Sequence, residues 1–251
     1  MKLTILGAGW LGFELAKSLK NEYKIIVSSR DEEKLKIYED EGFSSYILNE
    51  QNFDYIEELL NTDFLFINFP PSKFENYLSF LEKIYSSKNI SNIKKIIFIS
   101  STSIYPNVNG VFTEISEINN PSSQIVFGAE NLIKEKSDII FRVSGLVGDN
   151  RYFGKRSANK EVEFPLTPIN FVHREDVIRA TKFVLENNIS GIFNLCSNEH
   201  PTKKEIYSFN AKKYGFKMPI FNSNQTFINR IIDGSKIEKL GFSYKYQSPY
   251  F

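Results

Sequence analysis

Near the start of the chain, Gly7-Ala8-Gly9-Trp10-Leu11-Gly12 stand at the spacing G-x-G-x-x-G. They follow a short apolar run over residues 3–6 and open a helical pattern over 9–20, with Leu11, Leu15, Ala16 and Leu19 on one face. In that setting each glycine has its own task. Gly7 permits a tight turn, Gly9 lets the backbone approach a diphosphate, and Gly12 lets helix and strand pack closely. The amides near Trp10 and Leu11, at the positive end of the helix dipole, then bind the anion. Packing a helix on a strand without a ligand calls for only one small residue. Three glycines at this spacing point to a dinucleotide.

The end of the second strand decides which dinucleotide. A site for NAD carries an acid roughly 20 residues past the motif, bonded to the ribose 2′-hydroxyl. Here a strand over 24–28 runs into Ser28-Ser29-Arg30. Arg30 can pair with a 2′-phosphate, and the hydroxyls of Ser28 and Ser29 can donate to it. At about 1.5–3 kcal/mol for a charge-assisted hydrogen bond, NADP is favoured over NAD by roughly tenfold to a hundredfold. The other assignment leaves Arg30 in solvent and gives the ribose to Asp31. Asp31 is better explained as a first-turn acid complementing its own helix dipole.

The elements that carry these residues alternate between strand and helix, the pattern of a parallel sheet with crossover helices. Ser29-Arg30-Asp31-Glu32 has the form of a capping box opening a charged helix that stops before Gly42. A weak strand at 46–48 and a short helix at 54–60 follow, then a buried strand at 63–69 cut off by Pro70-Pro71. A helix at 74–85, a buried strand at 94–100, a helix at 122–136 and a strand at 139–143 continue the alternation. Beyond Gly145 the rhythm changes. Residues 146–170 are rich in glycine and proline, as at the edge of a substrate pocket. A helix at 176–186, a strand at 192–196, a helix opened by Thr202 with Glu205 as a second capping box, and a helix at 228–240 complete the chain.

Composition narrows the function. The 251 residues carry 31 Lys+Arg against 30 Asp+Glu, a net charge of +1, which leaves no electrostatic footprint for nucleic acid or an anionic membrane. Cys196 cannot form an internal disulfide alone, and with two histidines it cannot build a Cys/His zinc site. Apolar runs such as 64–69 and 96–99 are far shorter than a bilayer span. The N-terminal glycines interrupt any signal-peptide core, so a cytoplasmic protein is expected.

Several motifs in this order resemble those of the extended short-chain dehydrogenase/reductases, the NAD(P)-dependent epimerase/dehydratase family. They are Gly7 to Gly12, Arg30, Asn68-Phe69-Pro70-Pro71, Ile99-Ser100-Ser101-Thr102-Ser103-Ile104-Tyr105, Phe141-Arg142-Val143-Ser144-Gly145 and Asn170-Phe171-Val172-His173-Arg174-Glu175-Asp176. The likeness is to an atypical branch with G-x-G-x-x-G in place of the usual extended-family turn. It implies an α/β fold: a Rossmann-type, doubly wound parallel sheet of about seven strands with a smaller C-terminal α+β substrate lobe. Residues 1–145 would form the NAD(P)-binding domain. Residues 146–251 would form mainly the lobe, with some segments returning to the sheet. The implied cofactor residues are Gly7, Gly9, Trp10, Leu11, Gly12, Ser29, Arg30, Phe69 and Pro70.

Ser101 falls where that family places its catalytic Ser/Thr, bonding the substrate oxygen beside the nicotinamide. Open parallel sheets bind ligands at that edge. The other use of Ser100 to Ser103 is to satisfy backbone groups in a turn, and Thr102 and Ser103 read as bystanders. The family's acid/base pair, a Tyr with a Lys four residues later on one helical face, is missing. Matching Glu130 to the acid that often follows that pair puts Ser122 at the Tyr position and Val126 at the Lys position. Lowering a Tyr pKa from about 10 toward 7 takes roughly 4 kcal/mol, and no Tyr or Lys stands at either position. Tyr105, four residues past Ser101, is the candidate replacement acid, although its family counterpart usually packs.

His173 titrates near neutrality when unperturbed but more often orders its loop, and Asp176 reads as a helix N-terminal residue. Arg142, Arg151, Tyr152 and Arg156 can bind an acidic substrate or stand in solvent. His200 has nothing to recommend it, and Cys196 reads as buried and inert. Tyr77, Phe80, Leu81 and Ile84, with Ile125, Phe127 and Leu132, lie on the two helices through which extended enzymes often form a homodimer. The reading is an NADP(H)-binding oxidoreductase or epimerase/dehydratase-type enzyme acting on a small hydroxy or carbonyl compound, such as a sugar derivative. The alternatives are a catalytically silent NADP(H)-binding sensor, or a partner-binding protein that keeps the fold without a nucleotide.

Overall fold

Long apolar runs become the central strands. Phe64-Leu65-Phe66-Ile67 and Lys95 to Ser101 are almost wholly buried, as strands covered on both faces must be. The computed structural model describes residues 1–223 and 226–251. In chain order the elements are β1 (Lys2–Leu6), α1 (Gly12–Leu19), β2 (Lys24–Ser29), α2 (Glu33–Asp40), β3 (Ser44–Ile47), α3 (Ile56–Leu59) and β4 (Phe64–Ile67). Next come α4 (Tyr77–Tyr85), β5 (Lys95–Ser101), β6 (Gly110–Phe112), α5 (Gln124–Ile133), β7 (Ile139–Val143), β8 (Gly145–Val147) and β9 (Glu161–Val162). The last are β10 (Phe171–His173), α6 (Arg174–Glu186), β11 (Gly191–Leu195), α7 (Lys203–Tyr214), β12 (Ile220–Phe221), β13 (Arg230–Ile232) and α8 (Ser235–Glu238).

Seven strands form one sheet in the order β11-β7-β5-β4-β1-β2-β3. The ladders joining β3, β2, β1, β4 and β5 are all parallel. The chain leaves β1 toward β2 and β3, then returns to add β4 and β5 on β1's other side. That reversal opens a crevice at the carboxyl ends of β1 and β4, where ligands bind in such sheets. The expected doubly wound α/β sheet is present.

Two compact units divide the chain, and they interleave in sequence. One comprises residues 1–100, 123–141 and 187–191; the other comprises 101–122, 142–186 and 192–251. The first has a core of Leu3, Ile5, Leu15, Val27, Leu65, Phe66, Ile67 and Ile97, and the second one of Tyr105, Phe171, Val177, Phe193 and Leu195. Three small parallel pairs, β8–β10, β9–β12 and β6–β13, add to the framework. Among the described residues no helix is long and apolar enough to cross a membrane.

Several local expectations change. Helix α1 begins at Gly12, because residues 7–11 are used in the turn, where Gly7 takes φ +83°. No capping box forms at Ser29-x-x-Glu32. Ser29 stays at the end of β2 and its hydroxyl accepts from the Asp31 amide, while Asp31 Oδ1 accepts from Glu33 N–H. Ser123, one residue past Ser122, caps α5. The segment 228–240 is not one helix: Arg230–Ile232 pairs with Gly110–Phe112, and only Ser235–Glu238 is helical. The capping box of Thr202 and Glu205 is formed as expected.

Candidate functional site

Two sites stand out, one in each unit. In the first, the glycine turn satisfies its own leading polar groups. Gly7 N–H donates to Ser28 Oγ at 3.1 Å and Ala8 N–H to Ser28 O at 2.8 Å. The Gly7 carbonyl accepts from Gly9 N–H at 2.8 Å and from Asn68 Nδ2 at 3.3 Å. A side chain at Gly7 would meet Asn68 O at 2.5 Å and the Phe69 ring at 2.9 Å, and one at Gly12 would meet Gly7 O at 2.9 Å. At Gly9 a Cβ would meet nothing within 4 Å. The turn is therefore closed toward the sheet and open at Gly9. Helix α1 then starts with no side-chain cap, its N-cap residue Leu11 being buried. An uncapped helix start beside free space fits a diphosphate.

The other predicted cofactor residues gather around β2 and β4. Trp10 is half-buried and Pro70 is exposed. Phe69 is buried, and its carbonyl accepts from the Tyr77 hydroxyl at 3.1 Å. The exposed Arg30 guanidinium lies over the Phe74 ring at 5.2 Å and donates to Lys73 O at 2.8 Å, which holds its charge at the tip of β2. The serines differ from expectation. Ser28 is fully buried and its hydroxyl accepts from Gly7, while Ser29 is 7% exposed and holds Asp31. Neither hydroxyl is left in solvent for a 2′-phosphate, so Arg30 stands without them. Asp31 serves the first turn of its own helix, as its position suggested.

In the second unit a pocket of about 570 Å³ is lined by Ser101, Ser103, Ser122, Ser144 and Arg230, with Asn107 and Val108 at its loop side. Ser101 ends β5 and caps the turn after it. Its Oγ accepts from Ser103 N–H at 3.1 Å and from Ser103 Oγ at 3.0 Å. With both lone pairs engaged, the Ser101 proton is the group left to offer, so the hydroxyl is set as a donor. Arg230 Nη2 donates to Thr102 O, whereas Arg230 Nε and the buried Ser144 Oγ have no hydrogen-bond partner. Burial pulls the Arg230 pKa down, and no carboxylate pairs with it among the described residues. A half-buried guanidinium in a pocket also lined by Ser101, Ser103 and Ser122 is the complement of an anionic or many-oxygen ligand.

Tyr105 is not placed as an acid. Its ring is fully buried, stacked on Phe112 at 5.4 Å, and its hydroxyl is taken by Asn194 and Arg142. Burial raises its pKa against the opposing pull of Arg142. Arg142, 4% exposed, is thereby committed to the interior. Tyr152 stacks on Tyr214 at 3.8 Å, and neither it nor Arg151 nor Arg156 lines the pocket. His173 stacks on Tyr246 at 3.7 Å and takes Glu175 N–H on Nδ1, the loop-ordering alternative. His200 contacts Ile169 O, and burial pushes the Cys196 thiol up to about 12. At the missing acid/base pair, Ser122 Oγ donates to Tyr105 O and Val126 is buried.

Ser103, Ser144 and Arg230 line the pocket without any sequence motif that marks them for it. A hydroxyl two residues from Ser101 is the one local signal, a side-chain turn. Arg230 lay in a segment whose apolar spacing suggested a helix.

The chain is 33% identical over 267 aligned positions to Protein YeeZ of Escherichia coli (strain K12), covering 99% of this chain and 97% of that protein. No family model matches the chain. Among solved structures, UDP-glucuronic acid 4-epimerase from Bacillus cereus in complex with NAD superposes with a TM-score of 0.79 at 19% identity, over 100% of this chain and 93% of that one. ADP-L-glycero-D-manno-heptose-6-epimerase of Helicobacter pylori gives 0.76 at 16%, over 99% and 93%. At these identities the likeness is one of fold.

Proposed function

The chain belongs to the family of Protein YeeZ and has the fold of the extended short-chain dehydrogenase/reductases, and from that premise we propose that it binds NADP(H) in preference to NAD(H) and acts on a small, anionic hydroxy or carbonyl compound such as a sugar derivative. The observation that carries this is the glycine turn. Its leading groups are bonded among themselves, its open side lies at Gly9, and the uncapped start of α1 follows. Neighbouring structures named as epimerases with NAD bound agree with a nicotinamide dinucleotide.

In this reading the turn holds the diphosphate and Arg30 neutralises the 2′-phosphate. A nicotinamide dinucleotide held by this turn would supply hydride exchange with the carbon that bears the reacting oxygen. Ser101 donates a hydrogen bond to that oxygen, and its place at the end of a sheet strand suits the task. Arg230 takes the substrate's anionic group. Tyr105 is left out of the chemistry.

A second reading keeps the cofactor and drops turnover, favoured by Ser122 and Val126 standing at the positions of the acid/base pair. Thermal shift with NADPH, NADP, NADH and NAD tests the first step: the phosphorylated pair should raise Tm most. No shift with any of the four removes both readings. Arg30→Ala should bring the NADP preference down by roughly tenfold to a hundredfold, and an unchanged preference refutes that assignment. A panel of carbonyls and sugars followed by nicotinamide absorbance separates an enzyme from a sensor.

A homodimer through α4 and α5 belongs to the same proposal with changed contacts. Tyr77, Phe80, Leu81 and Ile84 are buried within the first unit, leaving Leu78 and Ile125 as exposed apolar residues. Light scattering should give twice 29.1 kDa, and Leu78→Asp should halve it.

A further inference from the structure

Tyr38, on α2, is 3% exposed and is the buried residue of a helix rich in charge. Its ring packs on Phe13 at 5.1 Å, and its hydroxyl donates to the carbonyl of Ala8, inside the glycine turn. The same hydroxyl adjoins that of Ser29 at the end of β2. This contact completes the bonding of the turn. The Ala8–Gly9 peptide is held at its N–H by Gly7 O, at 2.8 Å, and at its carbonyl by Tyr38.

The consequence is one of sign. Gly9 has no steric neighbour to restrain it, so a peptide plane here that is not bonded at both ends can rotate. Rotation would turn a carbonyl dipole toward the space where a diphosphate lies, replacing attraction by repulsion. A buried phenol that fixes the carbonyl inward keeps the following amides aimed outward, with the reorganisation already made before the ligand arrives.

We propose that Tyr38 is the positioning residue of the diphosphate turn, setting the Ala8–Gly9 peptide through the Ala8 carbonyl. The inference rests on the dinucleotide reading given above. It concerns the diphosphate alone, and not the base or the 2′-phosphate at the tip of β2.

Calorimetric titration of the full chain with NADP+ and, separately, with 2′-AMP tests it in the wild type and in Tyr38→Phe. NADP+ places a diphosphate on the turn; 2′-AMP carries only the base, the ribose and the 2′-phosphate. Tyr38→Phe should weaken NADP+ about tenfold and leave 2′-AMP within about twofold. A purely structural role would weaken both, and either that result or unchanged NADP+ binding overturns the inference. A wild type that binds neither ligand overturns the dinucleotide reading itself, and does so before any substitution is made. Should Tyr38→Phe fail to fold, carbon-13 at the Ala8 carbonyl of the wild type serves instead. On adding NADP+ the amides of Leu11 and Gly12 should shift while that carbonyl stays put, and a carbonyl that moves with them overturns the proposal.

Discussion

The Tyr105 hydroxyl donates to Asn194 Oδ1 at 2.7 Å while accepting from Arg142 Nη1 at 2.8 Å. Asn194 then spends its amide protons on Phe112 O and Asp233 O, at 3.3 and 3.0 Å. One buried side chain so ties the turn after Ser101 to the ends of β6 and β13. Tyr105→Phe leaves Asn194 Oδ1 and one Arg142 proton without their partner, a loss of about 1–3 kcal/mol. Thermal unfolding should show a Tm lower by roughly 2–10 °C. The basic limb of any pH–rate profile should stay where it is, since burial holds this phenol above its ordinary pKa. A limb that disappears with the hydroxyl would restore Tyr105 as the acid.

Gly7 and Gly9 stand two residues apart and should respond oppositely to the same methyl group. At Gly7 the φ of +83° and the Asn68 carbonyl 2.5 Å from a Cβ leave no room. Gly7→Ala should cost about 1–3 kcal/mol and lower Tm. At Gly9 no atom lies within 4 Å, so Gly9→Val should fold with a nearly unchanged Tm. Its side chain would occupy the space assigned to the diphosphate, and NADP(H) affinity should fall at least about tenfold. Unaltered binding in Gly9→Val would place the dinucleotide elsewhere.

His173 accepts Glu175 N–H on Nδ1, and burial lowers its pKa against the opposing pull of Asp176, Glu175 and Asp149. In the unfolded chain it titrates near 6.5. Between the two values the unfolded state binds the proton that the native state refuses. Stability is thus full above about pH 6.5 and falls as the pH drops toward the folded pKa, below which the effect is complete. His200, also lowered by burial, adds to the same slope. Chemical denaturation at pH 8 and pH 5.5 should show the lower stability at pH 5.5. His173→Phe keeps an aromatic ring on Tyr246 and should shrink the difference; an undiminished difference would assign it to other groups.

What could be read beforehand follows from range. The sheet was legible because β4 and β5 are unbroken apolar runs, and the glycine turn because its spacing and its place after β1 are local. Helix α7 was legible because Thr202 and Glu205 close their box within four residues. Ser29 misled because a strand end with a buried hydroxyl has the same composition as a helix start. The segment 228–240 misled because Ile228, Ile231 and Ile232 match a helical face. Pairing with Gly110–Phe112, some 120 residues earlier, overrides that pattern. The enclosure of Tyr105 by Arg142 and Asn194, 37 and 89 residues away in sequence, has no local signature. Tyr38, between Ile37 and Glu39 in a helix rich in charge, gave no hint of reaching Ala8.

Stability gives a poor account of the placement of Arg230. Its guanidinium is half-buried, one nitrogen bonds Thr102 O, Nε bonds nothing, and no carboxylate offsets the charge among the described residues. Burying a charge this way is unfavourable, and it persists where a ligand supplies the missing anion. Arg230→Ala should therefore change stability by no more than about 1 kcal/mol, because losing one hydrogen bond is offset by removing a poorly solvated cation. Inorganic phosphate, binding the folded state, should raise the Tm of the wild type and leave that of Arg230→Ala nearly unmoved. Arg230→Lys keeps a cation but not the planar fork, and should recover only part of the shift. Equal stabilisation of all three by phosphate would show that the pocket's anion is held by other groups, and the assignment of an anionic substrate to it would fall.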